Sequence, residues 1–379
     1  MFDEIIHFIK DTYGHNHSID LHSPVFIGNE KKYLNECIES TFVSSIGKFV
    51  DLFESEILKI TGATNAIAVI NGTMGLFAAL KVLNVDQNCE VITQALTFVA
   101  TANAIFSTGA QPIFVDVDSS TLGMSPSSLE EFLSKNVIVK NNTSFNKETG
   151  KKIAACVPMH TLGHPCQIDI IKEICNRYKI YLVEDAAESL GSYYNGKHTG
   201  TFGTIGIFSF NGNKVATTGG GGIIVTNDDD LAKKIKHVTK TAKLKHEWEF
   251  FHDELGYNFR MPNINAAIGL AQLENIPVFL KKKRYLAEKY RRFFYNLKVP
   301  FIVEPKNALS NYWLNAIILP DKKTRDDFLQ YSYANGVRCR PLWELMFKLP
   351  MYEKCQKTNM DISNYLQERI VNLPSGVLF

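Results

Sequence analysis

Between residues 66 and 227 the chain alternates short, continuous apolar runs with stretches of helical period, and this alternation narrows the fold more than any other feature. The runs AIAVI (66–70), CEVIT (89–93), QPIFVDV (111–117), IAACVPM (153–159), IYLVEDA (180–186), IGIFSF (205–210) and GIIVTN (222–227) read as strands. Few show the polar alternation of a half-exposed strand, so cover is expected on both faces. Helical patterns separate several of them. Leu76, Leu80 and Leu83 follow the first run, TFVATANAIFSTG (97–109) the second, and Ile170, Ile171 and Ile174 the fourth. This repetition predicts a large domain with a mostly parallel sheet and helices on both faces, an α/β fold. Residues 30–60 carry a helical period of their own, and 135–152 read as a polar excursion between elements.

From about residue 230 the pattern turns helical, most clearly over 263–297. Beyond 299 a strand-like NYWLNAIIL (311–319) and a helical TRDDFLQYSYANG (324–336) predict a small α+β C-terminal domain. A chain of 379 residues accommodates two domains, expected here as 1–260 and 261–379. A net charge of +2 gives no argument for nucleic acid or for an anionic membrane. The lysine run KKKR (281–284), continuing toward Glu288, reads as a solvated helix face. No apolar run approaches the ~20 residues that span a bilayer. The N-terminal MFDEIIHFIKDTYG carries acids where a secretory signal has an apolar core, so a soluble, cytoplasmic protein is expected. Seven cysteines without a CxxC pair predict free thiols, and no further ligands at metal-binding spacing accompany His164 and Cys166, so no metal is expected.

Against this background one lysine is unusual. Lys214, in SFNGNKVATTGGGG, sits among small residues with no acid in the stretch. Asp185, 29 residues earlier, follows an apolar strand at the carboxyl end, where parallel sheets place their ligand crevice. NGTMG (71–75) joins a strand to a helix, with a hydroxyl at Thr73 and close-approaching glycines; a helix start of this kind suits a phosphate. Phe98 stands at the head of a helix, as core or as a wall for a planar ring. An amine, a carboxylate, a phosphate cup and an aromatic wall are what pyridoxal 5′-phosphate requires. The GK[ST] of a Walker loop and the GxGxxG of a dinucleotide enzyme are both missing.

The stretches FIGNEKKYL, TFVSSIGKFVDLFE, VINGTMGL, QALTFVATANAI, PIFVDVD, VPMHTLGHP, VEDAAESLGS, GIFSFNGNK, TTGGGGIIVT and GYNFRMPNINAAIG occur in this order from about residue 25 to 275. In them the sequence resembles the nucleotide-sugar aminotransferases of the DegT/DnrJ/EryC1/StrS group, with weaker similarity continuing to NLPSG (372–376). The resemblance implies the pyridoxal phosphate (PLP)-dependent transferase fold type I, the aspartate aminotransferase architecture. It implies that Lys214 forms the Schiff base and that Asp185 pairs with the pyridine nitrogen. Thr73, the Met74 amide and the Ser209 hydroxyl would hold the phosphate, and Phe98 would stack on the ring. Glu188 stands where many relatives have Gln or His near the ring oxygen. Asn258 would reach the phosphate of a neighbouring subunit, making a homodimer with shared sites. His160 either orients Asp185 or borders the cofactor, if it is not simply packed, and Arg260 is a substrate contact or a structural ion pair.

The implied reaction takes an amino group from L-glutamate to the C4 keto group of a nucleotide-linked 4-keto-6-deoxy sugar. The nearest likeness is to C4 aminotransferases of the legionaminic acid and bacillosamine kind, which favours a UDP-linked N-acetylhexosamine and a role in surface glycan biosynthesis. A pyridoxamine-dependent dehydratase of the same fold would have histidine in place of Lys214. A non-catalytic sugar-nucleotide-binding or regulatory protein is the alternative outside catalysis, and the intact Lys214 and Asp185 speak against it.

Overall fold

Each of the seven apolar runs becomes a strand of one sheet in the computed structural model, which describes residues 1–14 and 18–378. The order across the sheet is Asn65–Val69, Gly222–Thr226, Ile205–Ser209, Tyr181–Asp185, Lys152–Val157, Cys89–Gln94 and Gln111–Val115. The last five are parallel to one another, whereas Gly222–Thr226 runs antiparallel to both of its neighbours. Alternate side chains of these strands enter different cores, as the two-residue period of a strand requires. Ile207 and Ile224 pack with Leu76 and Leu80 of helix Gly72–Val82, while Phe208 and Ile223 pack with Phe53 of helix Lys48–Thr61 and Ala266 of helix Asn263–Glu274. Burial of a side chain such as Phe53, which is fully enclosed, contributes about 2–3 kcal/mol.

The helical period over 30–60 resolves into two helices, Glu30–Ser40 and Lys48–Thr61, and that over 263–297 into Asn263–Glu274 and Ile276–Leu297. Residues 135–152 are not irregular throughout. Val137–Lys140 and Thr143–Asn146 form an antiparallel hairpin attached to the sheet edge. The buried side chains of the second strand, Ser144 and Asn146, are polar, whereas the first strand buries Val137 alone. Asn146 donates to Glu90 at 2.8 Å, and the Ser144 hydroxyl donates to the Tyr178 carbonyl.

The C-terminal region contains a three-stranded antiparallel sheet, Asn315–Ile318, Ile370–Leu373 and Arg340–Pro341, with helix Lys322–Ala334 against it. The first helix, Phe2–Tyr13, packs in this region: Ile5, Ile6 and Ile9 share a buried cluster with Leu286, Tyr290, Phe294 and Phe328. All seven cysteines are unpaired and buried. Among the described residues, no helix is long and apolar enough to cross a membrane.

Candidate active site

The parallel strands deliver their carboxyl ends to one crevice. Glu184 and Asp185 close strand Tyr181–Asp185, and alternation turns their side chains opposite ways. Glu184 faces inward and is fully buried. Its oxygens accept from Gly200 N–H at 2.7 Å and Gly203 N–H at 2.6 Å, and Oε2 lies 3.0 Å from His160 Nε2. Asp185 faces the crevice instead, with Oδ2 accepting from the Thr101 hydroxyl at 2.6 Å and Oδ1 from Ala187 N–H at 3.1 Å. Burial raises the Asp185 pKa, opposed in part by these two donors.

Lys214, Asp185, Glu188, Thr73, Ser209 and Phe98 line one cavity of about 320 Å³, together with Asn71, Asn213, Trp313 and Trp343. Thr73 lies in the first turn of helix Gly72–Val82, and Ser209 ends the strand beside it. Gly222 permits this arrangement, because a Cβ there would lie 2.5 Å from the Asn71 carbonyl carbon. Phe98 precedes helix Val99–Ser107 and is 47% exposed, so it is a wall of the cavity and not core.

The Lys214 ammonium is not without an acid. Glu188, 26 residues earlier, places Oε1 at 3.4 Å from Nζ. Glu188 is itself buried, which pushes its pKa up to about 7 despite the nearby Lys214 charge. Its other oxygen accepts from Leu162 N–H at 2.9 Å. The turn that supplies this donor is closely fitted: Gly163 has φ +90°, and a Cβ there would meet Asn311 Oδ1 at 1.9 Å. Above Lys214 lies the Trp313 ring, with Nζ 4.0 Å from its centroid, a cation–π contact. Trp313 Nε1–H donates to the Asn213 carbonyl at 2.7 Å. The loop bearing Trp313 is fixed by Asn311, whose amide donates to the Glu188 carbonyl at 2.8 Å and the Leu190 carbonyl at 2.9 Å.

Four expected site residues do not line this cavity, which for Asn258, expected at a neighbouring subunit's site, is no conflict. His160 is fully buried and turned to Glu184, away from the cavity, because it lies on the side of the strand from which Asp185 points away. Burial works against its protonated form, but Cys166 and Glu184 outweigh this and hold its pKa up, at about 10. Its hydrogen bond to Asp185 is a backbone one, N–H to carbonyl at 3.1 Å. The Met74 amide is already engaged, donating to Asn71 Oδ1 at 2.8 Å in an N-cap. Asn258 and Arg260 belong to a segment beside the first strand, bridging Lys240 and Val69, and neither lines the cavity.

Sequence reasoning did not find Trp313 and Trp343, two of the three tryptophans of the chain. Their scarcity was the one available signal. The Phe98 and Trp343 rings stand 6.1 Å apart at 61°, forming a corner of the cavity.

The side chains present fit PLP. Asp185 is a buried carboxylate charged only at a cost, and a protonated ring nitrogen is the partner that removes this cost. Thr73 and Ser209 present hydroxyls beside a helix start, where the first amides have no intrahelical acceptor.

Comparison with known proteins agrees with this geometry. The chain is 38% identical over 358 residues to a GDP-perosamine synthase of Escherichia coli O157:H7, covering 94% of this chain and 93% of that protein. It is 36% identical over 365 residues to a GDP-perosamine synthase of Vibrio cholerae, with 94% of each covered. Among solved structures, the aminotransferase TlmJ from Streptoalloteichus hindustanus superposes with a TM-score of 0.85 at 25% identity, covering 94% of this chain and 93% of that one. The model of the DegT/DnrJ/EryC1/StrS aminotransferase family matches residues 26–379. The chain therefore belongs to that family, and it is a PLP-dependent nucleotide-sugar aminotransferase of fold type I.

Proposed function

We propose that this aminotransferase carries nitrogen from L-glutamate to the C4 keto group of a nucleoside-diphosphate-linked 4-keto-6-deoxy sugar. The observation that carries the reading is the convergence of Lys214 Nζ, the Asp185 carboxylate and the Thr73 and Ser209 hydroxyls on one cavity. Asp185 would hold the ring nitrogen, Thr73 and Ser209 the phosphate, and Phe98 the ring face. PLP, when bound, supplies the electron sink that lets the C–H bond beside the transferred nitrogen ionise. The chain supplies the proton handling. Lys214 Nζ takes up and returns that proton, and Glu188 Oε1, 3.4 Å away with a pKa near neutrality, exchanges protons with it. Trp313, only 4% exposed, shields the amine from water.

The names of the two similar synthases favour a GDP-linked acceptor, while the motif likeness in the sequence favours a UDP-linked N-acetylhexosamine. The active unit in this reading is a homodimer in the cytoplasm, serving surface glycan synthesis. Phe26, Ile38, Phe42 and Ile46 near the N-terminus, and Trp248, Phe250 and Leu255, are exposed apolar side chains that a second copy could cover. Asn258 would reach the partner's phosphate from there, and Arg260 the substrate. The division of the chain at 260/261 belongs to the same reading, with the first helix joining the C-terminal domain.

The test is spectroscopic and then chemical. The visible band of the PLP-loaded protein should shift on addition of L-glutamate, and the treated protein should then aminate a UDP- or GDP-linked 4-keto-6-deoxy sugar by mass spectrometry. No band shift with glutamate would remove the donor; a shift with no amination of either sugar would remove the acceptor.

A further inference from the structure

One lysine of the run KKKR is not solvated. Lys283, in the middle of helix Ile276–Leu297, is 0% exposed, and no carboxylate lies within salt-bridge distance of it among the described residues. Its partners come from three distant parts of the chain. Nζ lies 3.0 Å from His22 Nε2, 3.1 Å from the Trp313 carbonyl and 2.7 Å from the Ser375 carbonyl. An ammonium carries three donors, and three acceptors surround this one. Trp313 is the residue whose ring covers the Lys214 amine at 4.0 Å.

We infer that Lys283 is a positioning residue for Lys214, fixing the Trp313 indole over the reactive amine by binding the Trp313 carbonyl. The backbone of Trp313 is thereby held from one side and its ring applied to Lys214 from the other. The same ammonium ties in the N-terminal segment at His22 and the C-terminal tail at Ser375, so both chain ends support the site. Burying this charge is costly, and the three acceptors offset that cost; methionine would fill the volume but leave all three without this donor.

The charge is also poised. Burial lowers the Lys283 pKa to about 7, so the three-acceptor arrangement weakens as pH rises through neutrality. The titratable groups around it are His22 from the N-terminal segment and, beyond Trp313, Lys214. Tyr290 on the same helix bonds the Pro374 carbonyl next to Ser375 at 2.9 Å. With Nε2 accepting from Lys283, His22 carries its proton on Nδ1, a buried atom with no hydrogen-bond partner among the described residues. Burial, with the Lys283 and Lys214 charges, keeps His22 neutral.

This inference rests on Lys214 being the amine that binds PLP, and its test separates the two. Lys283→Met and Lys283→Arg are compared with the parent as PLP-loaded proteins, through the pH titration of the visible band and through kcat and KM. Lys283→Met should retain the band, move its titration by ~1 pH unit, and lower kcat more than KM changes. Arginine stays charged across the range, so in a Glu188→Gln background, where the Glu188 titration is removed, Lys283→Arg should keep the band and lose the inflection near pH 7 expected of Lys283. A folded Lys283→Met with parental titration and kcat overturns the inference. If Lys283→Met does not fold, identical pH titrations with and without Lys283→Arg in the Glu188→Gln background overturn it. Absence of the band in the parent itself defeats the reading of Lys214 and this inference with it, whereas a parental band with unchanged variants defeats this inference alone.

Discussion

Replacing Glu188 by glutamine isolates the cost of keeping a carboxylate in the site. In the folded protein burial raises the Glu188 pKa from an ordinary 4.5 to about 7. The folded state therefore holds a proton that the unfolded chain has released, and stability falls as pH rises from about 4.5 to 7. The loss is complete above the folded value. A displacement of this size corresponds to about 3 kcal/mol, already net of the lowering by the neighbouring Lys214. In Glu188→Gln the amide oxygen would still accept from Leu162 N–H, while the titration is removed. The measurement is the urea midpoint of cofactor-free parent and Glu188→Gln at pH 4.5 and pH 8. The variant should gain about 1–3 kcal/mol on the parent between the two pH values. Equal pH dependence in both proteins would show that Glu188 is not charged at a cost, and would remove its role as a proton exchanger for Lys214.

Three further outcomes follow from the same contacts. Lys214→Ala should leave the far-ultraviolet spectrum unchanged and abolish the visible band and turnover; full turnover would sink the assignment. His160→Ala leaves Glu184 buried with its two backbone donors but no cationic partner and should cost about 3–5 kcal/mol by denaturant titration, with KM for the sugar unchanged in the PLP-loaded protein; a raised KM at parental stability would restore His160 to the substrate site. Gly222→Ala drives a Cβ to 2.5 Å from the Asn71 carbonyl carbon, so stability should drop by about 1–3 kcal/mol and PLP should bind more weakly, as read by fluorescence titration.

The motif order, the strand and helix types and the candidacy of Lys214 and Asp185 as cavity residues were legible because their signals are local. Apolar runs of five to seven residues and their strand–helix alternation state themselves within a short window. The hairpin at 137–146 escaped because its second strand is polar and is held by partners such as Glu90 and Tyr178, far off in sequence. Orientation was less legible than identity. His160 and Asp185 both close strand-like runs, but which face each side chain takes depends on the register of neighbouring strands.

By itself, then, the sequence determined the α/β architecture, the amine at Lys214 and the carboxylate at Asp185. Only the tertiary structure decided what surrounds them: Glu188 at 3.4 Å, Trp313 at 4.0 Å and, behind Trp313, the buried ammonium of Lys283. The physical reason is chain separation. Trp313 lies 100 residues from Asn213, and Lys283 lies 261 from His22, so no local period or spacing encodes these contacts. A charged run such as KKKR carries the same composition whether it faces water or core; the packing of helix Ile276–Leu297 against both chain ends buries one of its members.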